Sequence, residues 1–167
     1  MNRMERLWAP WRMEYLLEEK PDGCIFCRGR DGDDDRKSLV LHKTASAVVM
    51  MNRYPYVNGH LMVAPRLHTG SLHDLSSGEL LDLMETTRLC QTVLTADMKP
   101  AGFNIGLNLG SAAGAGIADH LHMHIVPRWP GDTNFMTVLG DVRVLPEALK
   151  VRYDRLLSLF KGVKSER

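Results

Sequence analysis

The 167 residues carry 21 Lys and Arg against 20 Asp and Glu, a net charge of +1, with 44% hydrophobic and 25% charged side chains. That size and balance suit one globular domain with its own core, and exclude both a general basic field for wrapping nucleic acid and an acidic solvating tail. No run approaches the roughly 18 apolar residues of a membrane span, and Arg3, Glu5 and Arg6 interrupt any signal-peptide-like segment, so a cytoplasmic setting without nucleic-acid or membrane partners is expected.

In chain order, Leu7 to Glu18 gathers Trp8, Trp11, Met13 and Tyr15 around Pro10, which reads as a short helix or extended arm that anchors its aromatics on the domain. Cys24-Ile-Phe-Cys27 follows. Three cysteines is an odd count, so in a reducing compartment they are thiols or metal ligands rather than a disulfide framework; the pair alone fits redox, structural or merely buried roles. Arg28 to Lys37, with its aspartates and glycines, reads as a solvated loop and not a metal site. Strand-like runs at Ser38–His42, Ala45–Met51 and His60–Ala64, separated by turns at Lys43-Thr44 and Pro55–Gly59, suggest an antiparallel meander.

Ser76-Ser-Gly-Glu79 is a capping box that opens a helix toward Met98, with Leu80, Met84, Thr87, Cys90 or Gln91, Leu94 and Met98 at helical spacing; Cys90 is then core. Lys99-Pro-Ala-Gly102 ends it. Phe103–Leu109 resumes strand character before the small-residue loop Gly110–Gly116, whose glycines would let backbone N–H groups approach a phosphate. It is neither a P-loop nor a dinucleotide fingerprint, because no Gly-Lys-Ser/Thr ends it and a strand follows it. Next comes His120-Leu-His122-Met-His124-Ile-Val126: in a strand the three imidazoles would share one face, with Leu121, Met123 and Ile125 on the other. Neutral imidazole is a nucleophile, a base and a metal ligand. Pro127–Gly131 would break the chain, Phe135–Leu145 would add one or two strands, and Pro146 would open a last helix with Leu149, Tyr153, Leu156 and Phe160 on one face.

The His120–Val126 run resembles the signature of the histidine triad (HIT) superfamily of nucleotide hydrolases and transferases. Further pieces resemble it in order: Cys24-Ile-Phe-Cys27, Asn52-Arg-x-Pro55 leading to Gly59-His60, Pro65-Arg-x-His68, the long helix and the Gly/Ala loop. The segments Leu7–Leu16 and Trp129–Met136 are similar to the bacterial branch with diadenosine tetraphosphate phosphorylases. The resemblance implies one α+β HIT domain over residues 1–167, with an arm (1–23), a core (24–136) and a C-terminal strand and helix (137–167), built on a mainly antiparallel sheet of about five strands.

It further implies that His122 attacks an α-phosphorus to form a covalent nucleotidyl-histidine, that His124 stabilises phosphoryl or leaving-group charge, and that His60 supports the cluster. Asn52 matches a ribose-binding position in the fragile histidine triad branch. Many members have Ser or Thr where Ile117 stands, so phosphate contacts are expected from Asn108, Ser111 or the amides of Gly114 to Gly116, with Arg128 either near a distal phosphate or simply on the surface. Some bacterial members close a structural Zn²⁺ site at the positions of Cys24, Cys27, His68 and His120. His42 and His73 are expected to face solvent, and Val40, Val48 and Met50 to line a base pocket. The implied activity uses a dinucleoside polyphosphate with inorganic phosphate as acceptor. Water as acceptor would make a hydrolase or phosphoramidase, and a zinc-stabilised nucleotide-binding module without turnover is the rival of another class. Relatives imply a homodimer.

Overall fold

The computed structural model describes residues 23–32, 34–132 and 149–163; the aromatic arm, the Phe135–Leu145 strands and Pro146 lie outside them. The elements are α1 (Ile25–Asp31), β1 (Val40–Lys43), β2 (Ala47–Met51), β3 (Leu61–Pro65), α2 (Ser77–Met98), β4 (Gly102–Leu107), β5 (Met123–Arg128) and α3 (Leu149–Val163). The strands form one antiparallel sheet in the order β1-β2-β3-β5-β4. The expected α+β fold with about five strands is borne out.

Strands β2 and β3 are buried along their whole length, which is why their sequences are continuous apolar runs rather than alternating ones. One face packs Val49, Leu61, Val63 and Ile125 against Leu83, Cys90 and Leu94 of α2 and Tyr153, Leu156 and Phe160 of α3. The opposite face packs Val40, Val48, Met50, Met62 and Ala64 beneath Phe26 of α1. Val40, Val48 and Met50, 1–3% exposed, are therefore covered by α1 and do not wall an open base pocket.

The capping box forms as expected: Ser76 Oγ accepts the Glu79 N–H at 3.3 Å while the Glu79 carboxylate accepts the Ser76 N–H at 2.8 Å. Lys99 closes the helix in the left-handed conformation at φ 46°. Thr87, Cys90 and Leu94 are buried as expected and Met98 packs partly buried against the core, joined by Leu83, Thr86 and Val93, whereas Leu80 and Met84 are exposed. Asp97, whose side chain is 2% exposed, anchors α3 by ion pairs with Arg152 and Arg155.

Several boundaries differ from the sequence reading. Arg28–Asp31 is helical and part of α1, with only Gly32 onward as loop. The first turn begins at Thr44, because Lys43 still pairs with Val48. Pro127 and Arg128 belong to β5. Pro127 is tolerated because β3 pairing ends at Ile125, so nothing there asks for its missing N–H. His42 is half-buried and stacks on Phe160 at 5.6 Å between ring centroids, whereas His73 is exposed as expected.

Candidate active site and metal cluster

The histidine run keeps its alternation but not its ladder. Paired strand begins only at Met123; before it, the chain is held by the Leu121 N–H donating to Thr69 O at 2.6 Å. Gly70 makes that approach possible, since a Cβ there would stand 2.5 Å from the Ala118 carbonyl oxygen. Leu121, Met123 and Ile125 enter the helix-side core, and the three imidazoles take the other face.

Two of the rings are assigned by a backbone carbonyl, which can only accept. His122 Nδ1 lies 2.8 Å from His120 O; a carbonyl accepts, so Nδ1 carries the proton and Nε2 keeps its lone pair. His120 Nε2 donates likewise to Pro65 O at 2.8 Å, leaving Nδ1 as a lone pair. His60 sits at the start of β3 behind Gly59, whose φ of 83° suits glycine. His60 Nε2 and His124 Nδ1 are 3.0 Å apart, and the His122 and His124 rings stand edge to face with centroids 4.8 Å apart. Burial lowers all three triad histidines from the usual imidazole value, His124 to about 4 with a smaller contribution from His122. The cluster is thus neutral at physiological pH, which suits attack on an anionic phosphorus.

Helix α1 places Cys24 and Cys27 one turn apart, facing His68 and His120. Cys24 Sγ and His68 Nδ1 are each 3.1 Å from His120 Nδ1, and Cys27 Sγ is 3.3 Å from His68 Nδ1 and 3.7 Å from His120 Nδ1. All four ligand atoms lie within 4.8 Å of one another. A tetrahedral zinc with ordinary Zn–S and Zn–N bonds has edges of about 3.3–3.8 Å, so the four donors fit that ion with small adjustments. Burial and the neighbouring Cys24 sulfur raise the Cys27 thiol, a repulsion that a divalent cation would reverse. The His120 N–H bond to Pro65 O is the outer partner expected of a ligating imidazole.

Other candidates fall differently. Asn52 bonds His60 and the Tyr54 backbone. Asn108 is half-buried, while Ser111, Gly114 and Gly116 are exposed on the loop before His120; the Gly114 N–H is already given to Ser111 O. Ile117 packs partly buried on the Phe26 cluster, so the position is apolar because it covers core. Arg128 is engaged by both carboxylate oxygens of Asp132, at 2.5 and 2.8 Å, and by Asn104. Two contributors escaped the sequence reading. Phe26 packs on the His120 and His122 rings at 5.1 and 4.9 Å, and Tyr56 stacks on His60 at 4.8 Å. Their positions inside Cys-Ile-Phe-Cys and just before Gly59-His60 were the available signals.

The five-stranded antiparallel sheet carries a buried imidazole whose Nδ1 faces a backbone carbonyl, beside a second buried imidazole. The chain belongs to the HIT domain family, whose model matches residues 34–131. It is 38% identical over 157 residues to a Mycobacterium tuberculosis protein named AP-4-A phosphorylase, covering 89% of this chain and 80% of that one. It is 34% identical over 95 residues to the asymmetrical bis(5'-nucleosyl)-tetraphosphatase of Schizosaccharomyces pombe, covering 57% and 52%. Among solved structures, a zinc-bound histidine triad family protein from Mycobacterium smegmatis shares the fold with a TM-score of 0.68 and 21% identity, over 87% of this chain and 98% of that one. Among the described residues, no helix is long and apolar enough to cross a membrane.

Proposed function

We propose that this protein is a nucleotidyl-transferring enzyme that cleaves dinucleoside polyphosphates by phosphorolysis. The observation that carries the reading is the proton on His122 Nδ1, donated to His120 O at 2.8 Å, which leaves Nε2 as the nucleophile. The Nε2 lone pair attacks the α-phosphorus; a P–N bond forms, and the bond to the bridging oxygen breaks, releasing the nucleoside polyphosphate as an anion. The carbonyl of His120 then faces the imidazolium and stabilises its charge. His124 donates a hydrogen bond to the leaving or phosphoryl oxygen, and His60 holds His124. An oxygen of inorganic phosphate attacks the same phosphorus, the P–N bond breaks, and its electron pair returns to Nε2. Identity to the M. tuberculosis protein supports phosphate as that acceptor.

In this reading Asn52 meets the ribose, and Asn108, Ser111, Gly114 and Gly116 hold the phosphates. Cys24, Cys27, His68 and His120 hold a structural Zn²⁺; with all four positions filled by protein, it would supply rigidity rather than reactivity. Three free thiols suit a reducing, cytoplasmic setting. The edge strand β4 exposes Ile105 at 42%, with Leu109 at 47% just beyond it, which supports pairing of two copies into a homodimer.

The test is product analysis with diadenosine tetraphosphate, with and without inorganic phosphate. ADP plus ATP only when phosphate is present is expected, with turnover abolished in His122→Ala. AMP plus ATP in both conditions would make water the acceptor, and no turnover would leave a binding module.

A further inference from the structure

Asn52 follows β2 directly, and its side-chain amide is oriented by a group that can only donate: the Tyr54 backbone N–H reaches Asn52 Oδ1 at 2.9 Å. The other end of the amide, Nδ2, therefore faces His60 Nδ1, at 3.2 Å. The Tyr56 backbone N–H reaches the same ring nitrogen, also at 3.2 Å. Two donors converge on His60 Nδ1, so that nitrogen holds a lone pair and the ring proton sits on Nε2. His60 Nε2–H then donates to His124 Nδ1 at 3.0 Å. His124, accepting at Nδ1, must carry its own proton on Nε2. The hydrogen bonds run in one direction, from amide to His60 to His124.

We infer that Asn52 is a positioning residue: by donating to His60 Nδ1 alongside the Tyr56 N–H it helps hold His60 in the Nε2–H tautomer and thereby keeps His124 as an N–H donor toward the reacting phosphate. This role is separate from a ribose contact, and it rests on the proposed part of His124 in nucleotidyl transfer. The residue type matters because aspartate, the nearest isostere, keeps the acceptor for Tyr54 N–H and for sugar hydroxyls but has nothing to donate. The carboxylate introduced by Asn52→Asp would draw a proton onto His60 Nδ1 instead.

The experiment compares wild type with Asn52→Asp in two measurements. In ligand-free protein labelled with ¹⁵N in its imidazoles, NMR is expected to show wild-type His60 protonated at Nε2 only, and the variant protonated at Nδ1. With diadenosine tetraphosphate and phosphate, kcat is expected to fall roughly tenfold to a hundredfold, less than or comparable to the loss of one charge-stabilising donor, while KM stays within about twofold. A wild-type His60 protonated at Nδ1, an unchanged ring in the variant, or a loss confined to KM would each overturn the inference. If Asn52→Asp does not fold, Asn52→Ala decides: a several-fold fall in kcat supports positioning, and a change in KM alone refutes it. Should wild type turn over no dinucleoside polyphosphate, the proposed function falls, while the ring-nitrogen spectra still decide whether Asn52 sets the tautomer.

Discussion

Acid should destabilise this protein through His124, by an amount that follows from its burial. Desolvation, with a smaller contribution from His122, brings its pKa to about 4, against roughly 6.5 for an unfolded histidine. The native state refuses a proton that the unfolded chain accepts. Stability from this residue is therefore complete above about pH 6.5 and is lost as pH falls toward about 4. With those two values, linkage gives a loss of about 2 kcal/mol between pH 8 and pH 5 and about 3.4 kcal/mol in full below both. His120 and His122 are lowered too, so the informative quantity is the difference between wild type and His124→Gln in urea unfolding at each pH. The difference is expected to shift by about 2 kcal/mol over that range, with wild type losing more. Parallel curves would show that His124 is not held neutral by the fold, and the argument for a neutral cluster would fail with it.

Phe26, 0% exposed between the sheet and the rings of His120 and His122, should cost about 3–5 kcal/mol on substitution by Ala in urea unfolding. Excess chelator should lower the melting temperature of wild type and leave a Cys24→Ser variant unmoved; elemental analysis without zinc and unchanged wild-type melting would remove the four-ligand site. Asp97→Ala should destabilise by about 3–5 kcal/mol, since it leaves the buried Arg152 without that carboxylate; thermal melts read this, with kcat at 25 °C unchanged because α3 packs on the face away from the histidines.

The sequence made some features legible because a local rule decides them. The capping box needs only Ser76 and Glu79 at the right spacing, and alternation puts Leu121, Met123 and Ile125 opposite the histidines whether or not the segment is paired. What periodicity could not decide was which residues of the first turns of α2 meet the sheet, where Leu83 is buried and Leu80 and Met84 are exposed, because that depends on strand packing rather than on the helix. Nor could it show that Arg28–Asp31 is helical, since that turn is held by Phe26 sinking into the second core and by Arg30 reaching Arg66 O. The Cys24, Cys27, His68 and His120 cluster was readable only through resemblance: His68 and His120 are 52 residues apart and meet because the segment after β3 lies against the one before β5.

Three histidines of identical chemistry end up with different free nitrogens because their neighbours, two backbone carbonyls and the His60 ring, assign their protons. His120 gives its Nε2 proton to Pro65 O and turns Nδ1 to the two sulfurs; His122 gives its Nδ1 proton to His120 O and frees Nε2; His124 accepts at Nδ1 from His60 and offers Nε2–H. The first two assignments pass through one residue, because the carbonyl that orients the His122 ring belongs to the residue whose own ring faces the cysteines. Movement of His120 that spoils the Cys24, Cys27, His68 and His120 cluster therefore also moves the acceptor of His122 Nδ1. That linkage gives a physical reason for His120 to be held from three sides, by Pro65, by Phe26 and by the Cys24, Cys27 and His68 cluster. Under the proposed function, rigidity at the metal end and orientation at the catalytic end are then one requirement, met by the stretch of chain before Met123 that is not yet paired into the sheet.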